Sequence, residues 1–203
     1  MEFTTAYASR TARRLQASGL DDTATRMVEL LVSQGVEGAT VLEIGGGVSG
    51  LHMELLRQGA AKATNLELSG SYEAEAARLV SEAGLADRVD RQLVDIVVEP
   101  EAVEAADVVV LHRVVCCYPD YRGLLGAAAD HARRALVFSY PRPHVVNRAT
   151  TFVENIGSAV RRREFRGFVH SRDAMLAVLA EHGHDVVDTG GNRFWQFAGT
   201  ARS

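Results

Sequence analysis

Thr40-Val41-Leu42-Glu43-Ile44-Gly45-Gly46-Gly47-Val48-Ser49-Gly50 runs from an apolar, β-branched segment straight into three glycines. A helical pattern follows, with Leu51, Leu55 and Leu56 on one face. This is the composition of a buried strand that turns sharply into a helix. Glycine permits the tight turn and removes the Cβ that would hold a ligand away from the backbone.

Outward from that turn, strand and helix patterns alternate. Upstream, residues 7–18 and 22–35 read as two helices; the second carries Met27, Val28, Leu30, Leu31 and Val32, with Gly35 as its stop. Downstream, Ala63 to Leu68, Val89 to Val94, Asp107 to Leu111 and Ala135 to Tyr140 read as strands. Helices are expected between them over Tyr72 to Ala83 and about 121–133. Such alternation predicts a parallel sheet with helices on both faces. The ending differs. Ser171 caps a helix bearing Met175, Val178 and Leu179, and Gly183 closes it. Val186-Val187-Asp188 and Phe194-Trp195-Gln196-Phe197 then flank Gly190-Gly191-Asn192, the pattern of an antiparallel hairpin.

The 203 residues suit one domain with an embellishment, and 47% hydrophobic content suffices for a sizeable core. A net charge of −4, with few clustered basic residues and no interleaved aromatics, argues against a nucleic-acid partner. No apolar run reaches the roughly 18 residues of a membrane span, and the start lacks signal-peptide order, so a cytoplasmic protein is expected. Cys116 and Cys117 are adjacent. A disulfide between neighbours is strained and no zinc-ligand spacing is present, so reduced thiols and no metal are expected.

Gly45-x-Gly47-x-x-Gly50 also fits a dinucleotide fingerprint, so the glycines alone leave the ligand open. Glu43 lies two residues before them. Its carboxylate would repel a pyrophosphate, by about 4 kcal/mol for unit charges roughly 4 Å apart at an effective dielectric of about 20. It would favour a ligand bearing an ammonium. Glu67 near the end of the second strand stands at the offset where an acidic residue takes ribose hydroxyls. Asp95 ends the third strand, where it can accept from an adenine amino group, and Ile96 beside it could offer its N–H.

The series Val41-Leu42-Glu43-Ile44-Gly45-Gly46-Gly47, Asn65-Leu66-Glu67-Leu68, Val94-Asp95 and Asp107-Val108-Val109-Val110-Leu111 resembles that of class I S-adenosylmethionine-dependent methyltransferases. The resemblance covers about residue 38 to the C-terminus. It implies a Rossmann-like, doubly wound α/β fold with seven strands in the order 3-2-1-4-5-7-6, the last antiparallel. It implies S-adenosyl-L-methionine as cofactor and S-adenosyl-L-homocysteine as product. Gly45, Gly46 and Gly47 would face the methionine part, Glu67 the ribose, and Asp95 with Ile96 the adenine; Glu43, which would welcome the ammonium, and Leu68 are further cofactor-binding candidates. More narrowly, Tyr118-Pro119 after the fourth strand is similar to magnesium-protoporphyrin O-methyltransferases; Cys117 and Arg113 stand where that pattern has His and Asp.

The expected domain plan is an N-terminal helical segment, 1–37, closing over the cofactor, and a methyltransferase domain, 38–203, with 141–170 inserted as a substrate cap. His112 leaves the fourth strand at the switch point of the sheet and is the candidate general base, or else a cofactor contact. Arg113, Tyr118, Tyr140 and His144 are candidates for the substrate. Arg161, Arg162, Arg163 and Arg166 either clamp an anionic substrate or form a solvated helix end. The expected acceptor is a small molecule, methylated at oxygen, and the expected state is a monomer or homodimer. The rivals are a non-catalytic S-adenosylmethionine-binding protein and an NAD-dependent oxidoreductase, the latter disfavoured by Glu43 and by the absence of room for a second catalytic domain.

Overall fold

The computed structural model describes residues 4–142 and 167–203. His144, the helix expected from Val145, the arginines 161–166 and most of the 141–170 insertion lie outside the described residues. Two helices open the chain, α1 (Thr5–Ser18) and α2 (Asp22–Ser33). Thr4 and Asp21 cap them, with Asp21 accepting the Ala24 N–H at 3.0 Å. Then follow β1 (Thr40–Ile44), α3 (Gly50–Arg57), β2 (Lys62–Leu66), α4 (Glu73–Glu82), β3 (Val89–Gln92), β4 (Ala106–Leu111), α5 (Tyr121–His131) and β5 (Ala132–Pro141). Beyond the undescribed segment come α6 (Arg172–Glu181), β6 (His184–Gly191) and β7 (Trp195–Arg202).

The strands form one sheet in the order β3-β2-β1-β4-β5-β7-β6. The β3-β2-β1-β4-β5 pairs are parallel, and β7 runs antiparallel to both β5 and β6. Fold class, strand order and the reversed last strand are as expected from the sequence.

The two faces of the sheet follow the period of two along each strand. Val41, Val108, Val110, Ala135 and Val137 join α1, α2, α3 and α4 in one core. Leu42, Val109, Leu111, Leu136 and Phe138 face α5 and α6 in the other. Ala8, Ala12, Met27 and Leu31 of the N-terminal helices are buried in the first core, continuous with the sheet.

Some boundaries differ from expectation, and at the strand ends the reason is that pairing rather than composition sets them. The β2–β3 ladder stops at Leu66 and Gln92, so Glu67, Leu68, Val94 and Asp95 lie in the loops beyond it. The hairpin turns at residues 192–194 rather than at Gly190-Gly191, which belong to β6. Asn192 Oδ1 accepts the N–H groups of Phe194 and Trp195, both at 2.9 Å, and so supplies the turn. The helix expected from Tyr72 begins as a 3-10 turn, Gly70–Tyr72.

Candidate functional site

A cleft of about 590 Å³ opens where β1, β2, β3 and β4 end. Ligands bind open α/β sheets at this carboxyl edge, at the point where strand order reverses between β1 and β4. Gly45 and Gly47 form part of its floor with φ of +69° and +52°, a region that L side chains rarely adopt. A Cβ on Gly45 would meet Val114 Cγ2 at 2.6 Å, so this glycine lets the loop after β4 close against the turn.

The turn is braced from behind. Glu43 is 3% exposed and accepts both the backbone N–H of His52 (3.0 Å) and its Nδ1–H (2.6 Å). A carboxylate can only accept, which assigns the ring proton to Nδ1. The pair ties the end of β1 to the first turn of α3. Glu43 therefore does not line the cleft, a correction to its expected place at the methionine end: the strand's alternation turns its side chain toward α3. Gly46 is likewise turned away, its N–H donated to Asn65 Oδ1 at 3.1 Å. Arg91 completes the brace, reaching Ser49 Oγ at 2.7 Å and the Gly47 carbonyl at 3.3 Å while paired with Glu73 at 2.6 Å. Ser49 needs that support, because its φ of +74° is left-handed.

Two carboxylates do line the cleft. Glu67 Oε2 accepts the Gly47 N–H at 3.0 Å, and Oε1 accepts the N–H groups of Leu68 (2.8 Å) and Ser69 (3.0 Å). Three backbone donors fix its position, and Leu68 and Ile96 line the same cleft. Asp95 accepts the Val97 N–H at 3.0 Å and the Tyr118 hydroxyl at 3.0 and 2.9 Å on its two oxygens. Burial and this carboxylate push the Tyr118 phenol up to about 12, so Tyr118 stays protonated at neutral pH and is no base there. Tyr118 thus sits with Asp95 on the cleft wall.

His112 lines the cleft with both ring nitrogens engaged. Nε2 lies 3.2 Å from Asp21 Oδ2, and Nδ1 lies 3.0 Å from Ser139 Oγ, which also accepts the Arg113 N–H at 2.8 Å. One proton assignment satisfies the set: Nε2–H donates to Asp21 and the Ser139 hydroxyl donates to Nδ1. A general base must have a nitrogen free for the proton, and this geometry leaves none without a rearrangement. The order Ser–His–Asp is not a hydrolytic triad either, because Ser139 is fully buried and no substrate reaches its oxygen.

Asp21 also binds Arg113 Nη2 at 2.8 Å, and the Arg113 guanidinium lies 4.6 Å from the centre of the Trp195 ring. Burial acts to raise the Asp21 carboxyl, but the His112 hydrogen bond, the Ala24 amide and the charges of His112 and Arg113 outweigh it and hold it well below the usual carboxylate range. Arg113 itself has φ +60°, an uncommon conformation for a non-glycine residue. Tyr140 is absent from the cleft: it is 2% exposed and packed 5.4 Å from Phe138 in the α5/α6 core. This corrects its expected substrate role, since β5 alternation sends it to the closed face.

The sequence did not single out Asp21, Ser139, Arg91 or the cleft aromatics Tyr7, Tyr72, Phe168 and Trp195. Asp21 carried a signal as an Asp one residue before a helix; the others carried none. Among the described residues no group of three or more His, Cys, Asp and Glu is arranged to hold a metal, and no helix is long and apolar enough to cross a membrane.

No protein-family profile matches the sequence, and no curated protein matches it either. Solved structures do. Magnesium protoporphyrin IX methyltransferase from Synechocystis PCC 6803 with bound SAH superposes with a TM-score of 0.74 at 21% identity, over 89% of this chain and 82% of that one. An O-methyltransferase family protein from Burkholderia thailandensis gives 0.74 at 18% identity, over 100% of this chain and 64% of that one. An O-methyltransferase family 2 protein from Planctomyces limnophilus in complex with apigenin gives 0.66 at 15%, over 94% and 64%. The chain shares the fold of these methyltransferases.

Proposed function

We propose that the chain binds S-adenosylmethionine in this cleft and transfers its methyl group to a small-molecule acceptor at oxygen, with S-adenosylhomocysteine as product. The observation that carries the reading is the Glu67 carboxylate on the Gly47 amide. In a dinucleotide site the amides of the glycine turn face the pyrophosphate. Here that amide is given to an anion of the protein's own, which favours a nucleoside without phosphates and disfavours NAD. The residues fit such a ligand: the turn carries no Cβ over the cleft, Glu67 lies where ribose hydroxyls would donate, and the apolar side chains of Leu68 and Ile96 line the same cleft as Asp95.

When bound, the cofactor supplies a methyl group on a sulfonium, an electrophile open to in-line displacement. The chain's part is then to bind, orient and exclude water. Gly45, Gly47, Glu67, Leu68, Asp95 and Ile96 hold the cofactor. Glu43 and Gly46 keep the turn in shape from behind. His112, fixed by Asp21 and Ser139, sets the loop that carries Arg113 and Tyr118. Of the N-terminal segment 1–37, the described residues 4–37 close one side of the cleft, through Tyr7 on its wall and Asp21 on His112 and Arg113. The apolar, aromatic character of the remaining wall, with Trp195 and Phe168, suits an organic acceptor of small size.

The test is turnover with methyl-labelled S-adenosylmethionine across phenols, carboxylates and porphyrins. Label transferred to one class at a rate that Glu67→Ala lowers supports the reading. Tight cofactor binding with no transfer to any acceptor would favour a non-catalytic binding protein instead.

A further inference from the structure

Cys116 and Cys117 are the chain's two cysteines; both line the cleft wall, and neither is in a disulfide. Their sulfurs lie 3.3 Å apart, and both face the Arg113 carbonyl, at 3.5 and 3.7 Å. Adjacent side chains usually diverge, so two thiols turned to one side and in contact are a specific feature of this loop. We propose that the pair is a redox modification site, which a low-molecular-weight disulfide such as oxidised glutathione converts to a reversible Cys116–Cys117 disulfide that loosens the cleft wall.

The chemistry balances without any other reactant. The Cys117 thiolate attacks one sulfur of the small disulfide, forms a mixed disulfide and expels one thiolate, which takes up a proton. Cys116 then loses its proton and attacks Cys117 Sγ, expelling the second small thiol. The protein pair gives up two electrons and two protons, and one disulfide becomes two thiols. The hydrogen bond to Cys117, and then burial, push the Cys116 thiol up, and an exchange begun on Cys116 would close the same ring, because the two sulfurs are 3.3 Å apart.

The consequence for the cleft follows from geometry. Neighbouring Cα atoms are about 3.8 Å apart across a trans peptide, short of the roughly 4.4–6.8 Å that disulfides prefer. The strain of ring closure therefore falls on the peptide between the two cysteines. The carbonyl of that peptide, on Cys116, accepts the Phe168 N–H at 2.7 Å and so docks the chain where it returns to the cleft. Turning this peptide costs the Phe168 hydrogen bond. A strained disulfide is also readily reduced, as reversibility requires.

The experiment titrates the protein against mixtures of reduced and oxidised glutathione. It reads free thiols, intact mass and the fluorescence of Trp195, the chain's one tryptophan and a cleft residue. None of these depends on methyl transfer or on the cofactor, so failure here and failure of the methyltransferase reading are distinguishable. The expected result is loss of both thiols, a mass lower by two hydrogens in a monomeric chain, and a fluorescence change with the same midpoint, all reversed by dithiothreitol. Cys116→Ser should stop at a single glutathione adduct. Stable adducts on both cysteines, chain-to-chain disulfides, or two free thiols at the most oxidising ratio would overturn the proposal. Loss of both thiols with unchanged Trp195 fluorescence would overturn its effect on the cleft.

Discussion

Replacing Asp21 should cost more stability than its place at a helix start suggests, because one carboxylate serves three partners. Asp21→Ala removes the α2 cap, worth about 1 kcal/mol. It also removes the acceptor for His112, which is 17% exposed; a typical hydrogen bond there contributes about 0.5–1.5 kcal/mol. The Arg113 pair is more exposed, 40% on the arginine, and is discounted to about 0–1 kcal/mol. The total is about 1.5–3.5 kcal/mol, a fall of roughly 3–14 °C in Tm for a chain of this size. Asp21→Asn keeps a good cap and loses only the charge, so its Tm should fall by about 2–4 °C. The folded carboxyl lies below its ordinary value near 3.8, so its contribution is fully present above that value and is lost as pH falls through the folded one. Thermal unfolding followed by circular dichroism at pH 7, 5, 4 and 3 should therefore show the gap between wild type and Asn constant at the upper values and closing at the lower ones. Equal Tm for wild type and Asn at pH 7, or a gap that persists unchanged at pH 3, would refute the three-way role.

Three further outcomes separate the site from its scaffold. Glu67→Ala should raise the dissociation constant for S-adenosylhomocysteine about 10- to 150-fold, the equivalent of the roughly 1.5–3 kcal/mol typical of a hydrogen bond to a charged group; an unchanged constant by calorimetry would remove Glu67 from the site. Glu43→Ala leaves the His52 N–H and ring N–H without their acceptor in a buried setting, so Tm should drop as for a loss of about 1–3 kcal/mol for each donor left unpaired; a stable variant with weakened binding alone would return Glu43 to the ligand. Gly45→Ala should destabilise the fold by at least the roughly 1–2 kcal/mol of a left-handed residue and displace Val114 as well, and wild-type urea stability would show that the loop after β4 does not close on the turn.

The fold was legible because its signals are local and periodic. Thr40–Ile44 and Ala106–Leu111 are mostly apolar, each broken by one carboxylate (Glu43 and Asp107), and their alternation assigns Val41 and Leu42 to opposite cores. The glycines and the carboxylates at successive strand ends marked the cleft's edge. Side-chain direction was less legible. Glu43 and Tyr140 sit on the expected strands, but whether a side chain faces the cleft or a helix depends on which residue ends the ladder, and that is set by the neighbouring strand. Asp21 meets His112 only because α2 packs on β5, β7 and α3, a contact 91 residues apart that no pattern in the sequence encodes. The brace from Arg91 to Gly47 is of the same kind.

Calorimetric titration of the intact chain with S-adenosylhomocysteine and, separately, with NAD tests the central claim most directly. A cleft whose glycine amide is already held by Glu67 and whose far end carries Asp95 should bind S-adenosylhomocysteine at one site per chain and give no heat of binding with NAD. Saturable binding of NAD, or no binding of S-adenosylhomocysteine by a folded chain, would contradict it.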